Sequence, residues 1–278
     1  MPIISRAKDL VKDQTYFIWQ IKKEQLSHIL FPVGEFENKA EVREYAKAKN
    51  LITSQKPDSQ GLCFVGQTSL RDMLLQTIGQ KNGYIYTYLS DTQAKKIGIK
   101  ITKKNLVLKT KQNSEQHKIK LGEHQGAFLY TIGQRQNLGL SNGPWFVQNV
   151  DIINNEVTVC HNDYKQDMNH KSLWIKEINW HIDINNFVNS SIINTKDNKN
   201  SNIITIKAQC QIRYHGQSNK VVIFYNTQDN TAFVLFEDYV NSPANGQSIV
   251  FYDYETNTEM LCGGIIYKTP SLFLHPKK

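Results

Sequence analysis

Short apolar runs separated by turn residues fill the second half of the chain, and this spacing limits the possible fold more than any other feature. WFVQNVDII and EVTVC flank Asn154 and Asn155, a residue type that tolerates the left-handed backbone of a tight hairpin turn. KVVIFYN and TAFVLFE repeat the pattern across TQDN, and QSIVFYD precedes EMLCGGIIY. Several short strands with regular turns predict a barrel or a sandwich.

One of these runs, ITIKAQCQIRY, alternates strictly. Its even-numbered positions are apolar and its odd-numbered positions are mostly polar. We therefore expect Cys210 to face the core and Arg213 to face water. Arg213 precedes Tyr214 and His215, where it could hold a phosphate or stack on a base. An ordinary solvated charge is the other interpretation of the spacing alone.

The first part of the chain shows helical patterns. Asp13 is expected to cap a short helix, and Asn38 a second helix with lysines in its last turn. A third helix is expected from Thr68 to a stop at Gly79. From residue 83 the pattern changes to short strand-like runs, among them YIYTYL, LVLK and HKIKL.

The length of 278 residues allows about two domains with their own cores. We expect an α/β remnant followed by a small α+β central domain and a C-terminal antiparallel β-barrel. The expected boundaries are 1–66, 67–140 and 141–278.

A formal charge of +8 favours a polyanionic partner, because lysines and arginines neutralise phosphates and release counterions. A proteome rich in Lys and Asn would explain the charge equally well. The four cysteines are widely spaced without a C-x-x-C pair, so the sequence predicts neither a zinc cage nor a disulfide scaffold. A reducing cytoplasm fits best, and no stretch approaches the roughly 18 apolar residues of a membrane span.

Cys63 lies in KPDSQGLCFVG, where a polar loop meets an apolar run. Its position between Leu62 and Phe64 alone predicts a small buried hydrophobic residue. An accessible thiol at this point would have a lowered pKa, because Lys56 lies upstream and a helix N-terminus could lie nearby. Position alone therefore favours packing over chemistry.

Several segments closely resemble the bacterial tRNA-specific 2-thiouridylases: KDQTYF, FPVGEFENKAEVREYA, KPDSQGLCFVG, GEHQGAFLYTIGQRQNLGL, PWFV and SPANGQSIVFYD with CGGIIY. They occur in family order along most of the chain. The resemblance implies transfer of sulfur to C2 of the wobble uridine in certain tRNAs. In that scheme ATP with Mg²⁺ adenylates the C2 oxygen, and sulfur carried as a cysteine persulfide displaces AMP.

The resemblance also implies roles for individual residues. Cys63, in the family's G-[IL]-C-F motif, would accept a persulfide from a sulfur-donor protein. Contacts with tRNA are implied for the matches to the KDQ, R-Y and P-G-Q motifs, which are Lys12, Asp13, Gln14, Arg213, Tyr214 and Gln247. The last motif departs from the family pattern, because Asn245 stands where the family has proline.

The YTIGQR block is a family hallmark of the central domain, and His124 lies just upstream of it. His124 is one candidate for a general base, because imidazole titrates near neutrality. A structural hydrogen bond from His124 or Arg135 that shapes the domain junction is the favoured interpretation.

The family's SGG-x-D-S loop and first catalytic cysteine have no match in these residues. Gly263 and Gly264 lie in a β context and cannot replace a phosphate-binding loop. We therefore expect residues 1–66 to be the C-terminal part of a PP-loop ATPase domain, with no residue present here binding ATP or a metal ion.

Three explanations of this pattern stay open: a truncated reading frame, a split enzyme with a separate N-terminal half, and a degenerate protein that only binds tRNA. The intact Cys63 motif favours the first two. The alternative to an enzyme is a noncatalytic tRNA-binding β-barrel module, and a translation-factor-like barrel without a modification role is a weaker third option.

Overall fold

The computed structural model describes residues 2–57, 68–109, 116–184 and 202–270. Cys63, the predicted persulfide carrier, lies outside the described residues. The chain divides into two compact units. We call them the barrel unit, Met1–Asp58 with His170–Lys278, and the central unit, Ser59–Asn169.

The described helices are short. They are α1 (Thr15–Ile18), α2 (Lys39–Ala48), α3 (Leu70–Ile78) and α4 (Asp91–Lys96), with 3-10 helices at Lys23–His28, Ile52–Gln55, Ala127–Leu129 and Asn162–Met168. Among the described residues, no helix combines the length and the apolar character that crossing a membrane requires. Asn38 caps α2 as expected, since its side chain accepts a hydrogen bond from the Glu41 amide.

The strands outnumber the helices. They are β1 (Gly83–Leu89), β2 (Leu106–Lys109), β3 (His117–His124), β4 (Trp145–Asp151), β5 (Glu156–His161), β6 (Asn169–Trp180), β7 (Ile203–Gln211), β8 (Asn219–Asn226), β9 (Thr231–Asn241), β10 (Ser248–Tyr252) and β11 (Met260–Lys268).

Strands β6 to β11 form a closed barrel in the order β10-β11-β6-β9-β8-β7. Closure removes the exposed strand edges that an open sheet would leave. The alternation in β7 directs Ile206, Ala208 and Cys210 into the barrel core. The predicted C-terminal antiparallel barrel is therefore confirmed, and so is the packing role of Cys210.

Strand β10 is buried on both faces. Ile249 and Phe251 belong to the barrel core, whereas Val250 and Tyr252 point outward under the N-terminal segment, which we define as residues 2–28. The segment contributes Ile4, Trp19 and Leu26 to this second cluster. A strand covered on both sides needs a continuous apolar run, which explains the sequence IVFY.

The central unit contains a five-stranded sheet in the order β2-β3-β1-β5-β4. Strand β1 pairs antiparallel with β3 and parallel with β5. Here the structure differs from the expected boundary at 140, because β4 and β5 belong to this sheet and not to the barrel. Val147, Val157 and Val159 of that hairpin pack against Ile85 and Ile119. A hairpin pattern alone does not tell which sheet it will join.

Candidate nucleic-acid interface

The N-terminal segment is fixed to the barrel by Trp19, which is 3% exposed. Its indole lies against Gly263 in β11, where an added Cβ would come within 2.5 Å of the ring. The indole Nε1 donates a hydrogen bond of 3.0 Å to Ser248 Oγ at the start of β10. Gly263 therefore provides the space in which Trp19 packs.

Two side chains of the barrel unit bind the backbone beside Trp19. Asn179 Nδ2 donates to the carbonyl oxygens of Trp19 and Ile21 at 2.7 and 2.9 Å. His181 Nε2 donates to the Trp19 carbonyl at 2.9 Å. Burial lowers the pKa of His181, and the hydrogen bond to Trp19 opposes this shift. The neutral imidazole is thus the form that holds the segment.

Asp13, the middle residue of the KDQ motif, is the centre of a buried network. Its carboxylate accepts hydrogen bonds from the Thr15 amide at 3.2 Å and the Thr15 hydroxyl at 2.9 Å. The Arg6 guanidinium lies 3.4 Å from the carboxylate and 3.6 Å from the centre of the Tyr252 ring. The Thr15 and Tyr252 hydroxyls are 2.9 Å apart. Asp13 therefore joins the motif to β10 and does not face solvent.

Lys12 and Gln14 lie on either side of Asp13, and both are exposed. Helix α1 begins one residue later than a cap at Asp13 implies, with Gln14 at the N-cap position. Asp13 still satisfies the first helical amide, because its carboxylate accepts from Thr15 N. The motif thus presents two polar side chains from a fixed backbone.

The R-Y motif packs against the N-terminal segment. The Tyr214 ring lies between Phe17, with ring centres 4.5 Å apart, and His215, at 3.9 Å. Tyr16 lies 6.4 Å from Tyr214 and donates a hydrogen bond of 2.8 Å to the Ser248 carbonyl. Burial raises the pKa of Tyr16 to about 12, and the nearby Arg213 charge opposes the shift.

Arg213 does not face water as the alternation predicts. It is half-buried, and its Nη2 donates a hydrogen bond of 2.6 Å to the Ser242 carbonyl. Burial lowers the pKa of the guanidinium, and Tyr16 opposes this effect. The prediction is wrong because β7 ends at Gln211, so the strand alternation does not reach residue 213.

Gln247 lies in the turn that leads into β10. Its backbone carbonyl accepts from the Ile266 amide at 2.9 Å, and its side-chain Oε1 is buried without a hydrogen-bond partner among the described residues. Gly246 before it has φ of 85°, a left-handed conformation that suits glycine. The next residue, Ser248, contacts both Tyr16 and Trp19. Gln247 is therefore adjacent to the segment that carries the KDQ motif.

Lys39 lies within electrostatic range of both Lys12 and Arg43 on the barrel unit, and we call these three cations the basic patch. Partial desolvation lowers the pKa of Lys39, and the charges of Arg43 and Lys12 add to this effect. Like charges held together favour an anion between or above them. Lys39 opens α2, so the patch extends from the KDQ motif to that helix.

The barrel unit thus brings together the matches to the KDQ, R-Y and N-G-Q motifs. Sequence patterns alone do not identify Phe17 and Trp19 as parts of this arrangement. The available signal was the aromatic run TYFIW, which is unusually rich in large rings for so short a helix.

In the central unit, His124 is buried and its Nδ1 accepts a hydrogen bond of 3.1 Å from the Gly126 amide. Burial lowers its pKa, and backbone groups of Asn155 and Tyr84 oppose the shift. An added Cβ on Gly83 would lie 2.5 Å from the His124 ring. This close packing supports the structural interpretation of His124 over the general base.

Asn155 completes this part of the central unit. It has the left-handed φ of 54° that the hairpin turn requires, and its side chain is also buried. The amide oxygen accepts from Ala127 N at 2.9 Å, and the amide nitrogen donates to the carbonyls of Lys81 and Asn82 at 3.0 and 2.9 Å. Sequence analysis identified the turn but not this second role.

Arg135 is exposed at the end of the YTIGQR block. The block is fixed through its backbone, because Gly133 N donates to the Val147 carbonyl at 2.7 Å and Val147 N donates to the Gln134 carbonyl at 2.9 Å. The backbone on the N-terminal side of Arg135 therefore positions the block, and of the two expected side chains His124 makes a structural hydrogen bond.

Cys160, Cys210 and Cys262 are buried free thiols. Cys210 and Cys262 pair with the same residue, Phe251, from opposite sides of β10. Burial raises the pKa of both thiols. Since the thiolate is the reactive form, these two are poor nucleophiles.

Three family models match the chain. Residues 2–67 match a tRNA methyl transferase HUP domain, residues 100–161 a tRNA methyl transferase PRC-barrel domain, and residues 170–266 an aminomethyltransferase beta-barrel domain. The last two matches fall within the central unit and the barrel unit respectively.

Curated relatives carry the same name in several bacteria. The tRNA-specific 2-thiouridylase MnmA of Mycoplasma mycoides is 32% identical over 95% of this chain and 59% of the relative. That of Listeria monocytogenes is 31% identical over 89% of the chain and 55% of the relative, and that of Streptococcus agalactiae 31% over 94% and 58%. The chain spans less than two thirds of the length of these relatives. By its three domain matches and these relatives, the chain belongs to the tRNA-specific 2-thiouridylase family.

Proposed function

We propose that the chain is the tRNA-binding and sulfur-carrying part of a tRNA 2-thiouridylase. The observation that carries this proposal is the packing of Tyr214 against Phe17, with ring centres 4.5 Å apart. It joins two segments that are distant in sequence, and each contains a match to a tRNA-contacting motif of the family. Lys12, Gln14 and Tyr214 would contact the RNA, with Arg213 and Gln247 at the rim.

Asp13 has a different proposed role. Its side chain is enclosed by Arg6 and Thr15, so it positions Lys12 and Gln14 and makes no direct RNA contact. This assignment replaces the direct contact that the KDQ resemblance implies for Asp13.

Cys63 is the proposed sulfur carrier. A donor protein would leave a persulfide on its thiol, and the outer sulfur would form a bond to C2 of the activated uridine. The C2–O bond breaks as AMP departs with the oxygen. A second thiol then attacks the Cys63 sulfur, which forms a disulfide and leaves the electron pair of the old S–S bond on the transferred sulfur. Cys210 and Cys262 do not suit that second role because they are buried and hard to ionise.

The paired glycines of β11 do not suit a phosphate-binding loop. Gly263 and Gly264 form part of β11, and the Trp19 ring occupies the space above Gly263. A phosphate-binding loop instead needs free amides at a helix start. We therefore propose that adenylation with ATP and Mg²⁺ is supplied by a nucleotide-binding region of the family, on the same or a separate polypeptide.

The proposed setting is the cytoplasm, where thiols stay reduced and tRNA is present. The proposed partners are tRNA, a sulfur-donor protein and, for a split enzyme, a separate N-terminal half.

Complementation tests the enzyme proposal. A strain lacking its own thiouridylase would express this chain with and without the N-terminal region of a relative, and 2-thiouridine in tRNA would be measured by mass spectrometry. We expect 2-thiouridine only with both parts, and none with Cys63→Ser. Cys210→Ala is the matched control, because it removes a thiol that packs in the barrel core. Loss of 2-thiouridine with Cys63→Ser but not with Cys210→Ala supports the carrier.

A noncatalytic tRNA-binding module is the second candidate, favoured by the clustering of Lys12, Lys39 and Arg43. The two differ in their need for Cys63. Absence of 2-thiouridine even with the N-terminal region of a relative, together with tRNA binding that Cys63→Ser leaves intact, would favour the module.

A further inference from the structure

We propose that Phe17 is a stacking site for an unstacked nucleobase of tRNA. This inference rests on the proposed tRNA-binding function and adds a residue that none of the family motifs assigns. Phe17 is 58% exposed although it belongs to a segment whose other large rings, Tyr16 and Trp19, are half-buried or buried. Its ring is therefore available to a ligand.

The rings around Phe17 form a short row. Tyr214 lies between His215 at 3.9 Å and Phe17 at 4.5 Å, each at a tilt, and Tyr16 meets Phe17 edge-on at 5.5 Å. Such packing fixes the orientation of Phe17 before a ligand arrives. A base that continues the row would gain stacking without the cost of ordering a free side chain.

The backbone beneath Phe17 is also fixed. Tyr16 is anchored to the Ser248 carbonyl, Trp19 to Ser248 Oγ, and Thr15 to Asp13. Phe17 is thus an exposed ring on a short helix whose neighbours on both sides are tied to the barrel or to the buried network. Exposed large apolar side chains on so rigid a base are typical of binding sites.

The surrounding charge favours RNA over a protein as the occupant. Arg213 directly precedes Tyr214, which packs against Phe17, and Lys12 belongs to the same N-terminal segment as Phe17. A nucleotide offers both an aromatic face for Phe17 and a phosphate for such cations. RNA-binding proteins commonly combine stacking on aromatic rings with cationic contacts to the backbone.

The test compares tRNA with heparin, a polyanion without bases, using the full chain and an unmodified tRNA transcript with a wobble uridine. Phe17→Leu keeps an apolar side chain but removes the aromatic face. We expect it to weaken tRNA binding at least about fivefold, as lost base stacking does, with heparin binding unchanged. The dependence of tRNA affinity on salt should also stay the same, because no charge is removed.

Two further variants make the test specific. Phe17→Trp retains an aromatic face, so tRNA affinity should stay within about twofold of the wild type, and its added fluorescence should fall with tRNA but not with heparin. Phe31→Leu is the matched control, since Phe31 is 52% exposed on the same unit and lies outside the ring row. It should leave tRNA binding unchanged.

The outcomes separate the two proposals. If the wild-type chain does not bind tRNA, the proposed function fails and the stacking site with it. If the wild type binds and Phe17→Leu binds equally well, only the stacking site is overturned. Equal weakening of tRNA and heparin binding by Phe17→Leu also overturns the stacking site, because heparin has no bases and the loss could not come from a base contact. Loss of binding to a co-expressed N-terminal half, with tRNA binding intact, would identify a protein contact instead.

Discussion

At the scale of single residues, the three residues of the KDQ motif differ in their environment: Asp13 is buried, whereas Lys12 and Gln14 are exposed. The carboxylate is enclosed by Arg6, Thr15 and the Tyr252 ring, whereas the side chains on either side are exposed. A buried ion pair gives stability only while both partners and their hydrogen bonds are present. The middle residue of the motif therefore sets where its neighbours point.

Substitution of Asp13 should affect folding more than RNA recognition. Asp13→Ala leaves the Arg6 charge buried and unpaired, so we expect a loss of about 3–5 kcal/mol in the free energy of unfolding, measured by urea denaturation. The double variant with Arg6→Met should lose less than the sum of the single changes, because the pair acts as a unit.

The milder Asp13→Asn variant keeps the size of the side chain and one acceptor oxygen, for example for the Thr15 and Ala7 amides, and should fold. Its tRNA affinity should show the same salt dependence as the wild type, whereas Lys12→Ala should reduce the slope by about one. A reduced slope for Asp13→Asn would mean that Asp13 influences a phosphate contact after all.

At the scale of elements, β10 and β11 carry two structural duties. Their inner faces fill the barrel, and their outer faces hold the N-terminal segment through Ser248, Tyr252 and Gly263. Trp19 packs on Gly263 although the two residues are far apart in the sequence. The contact requires glycine, because a side chain at position 263 would occupy the space of the indole ring.

Gly263→Ala should therefore disturb the segment. The added methyl would lie 2.5 Å from the Trp19 ring, closer than packed atoms approach, and we expect a loss of about 1–3 kcal/mol in unfolding free energy. Tryptophan fluorescence should shift as the indole moves. Gly264→Ala is the matched control, because its nearest contact would be 3.2 Å away and its effect should be smaller.

The turn between β10 and β11 should respond to pH. Burial alone raises the pKa of Asp253, but hydrogen bonds from Thr256, Glu259 and Thr258 outweigh it and bring the pKa to about 2. Because the folded pKa lies below the ordinary value of 3.8, this stabilisation is present above about pH 4 and is lost as the pH falls through about 2.

Asp253→Asn should thus cost about 1–2 kcal/mol near neutral pH, a figure reduced for solvent screening at this turn. The difference between wild type and variant should shrink as the pH falls from 4 to 2. Urea denaturation at each pH measures it, and a difference that stays constant with pH would contradict the assignment.

Sequence patterns identified the barrel and the inward face of β7, because strand alternation and turn residues are local signals. They missed the partner of Trp19, since nothing local connects it to Gly263. They also misjudged Arg213, whose environment depends on where β7 ends and on the Ser242 carbonyl that it reaches. The hairpin of β4 and β5 has the right local pattern for either sheet, so only tertiary packing decides between them.

At the scale of the whole molecule, the net charge of +8 can be interpreted only from where the cations lie. The basic patch lies on the barrel unit, which also carries the three motif matches. Charge on the same unit as aromatic rings and fixed polar side chains favours binding of folded RNA over a general solubility effect.

The salt dependence of tRNA binding tests this reading. Each of Lys12→Ala, Lys39→Ala and Arg43→Ala should reduce the slope of log affinity against log salt by about one, because each removes a phosphate contact. Lys176→Ala is the control, since Lys176 pairs with Glu177 at 2.8 Å. Unchanged slopes for all three patch variants would place the RNA elsewhere.

The packing of Trp19 on Gly263 also determines when the N-terminal segment can pack on the barrel during synthesis. A ribosome makes the N-terminal segment before β11, which carries Gly263, with the other barrel strands in between. Until Gly263 is made, the Trp19 indole has no packing site on the outer face of the barrel, and chaperones that bind nascent apolar chains can reach it. The N-terminal segment therefore reaches its final position only after β11 has been made.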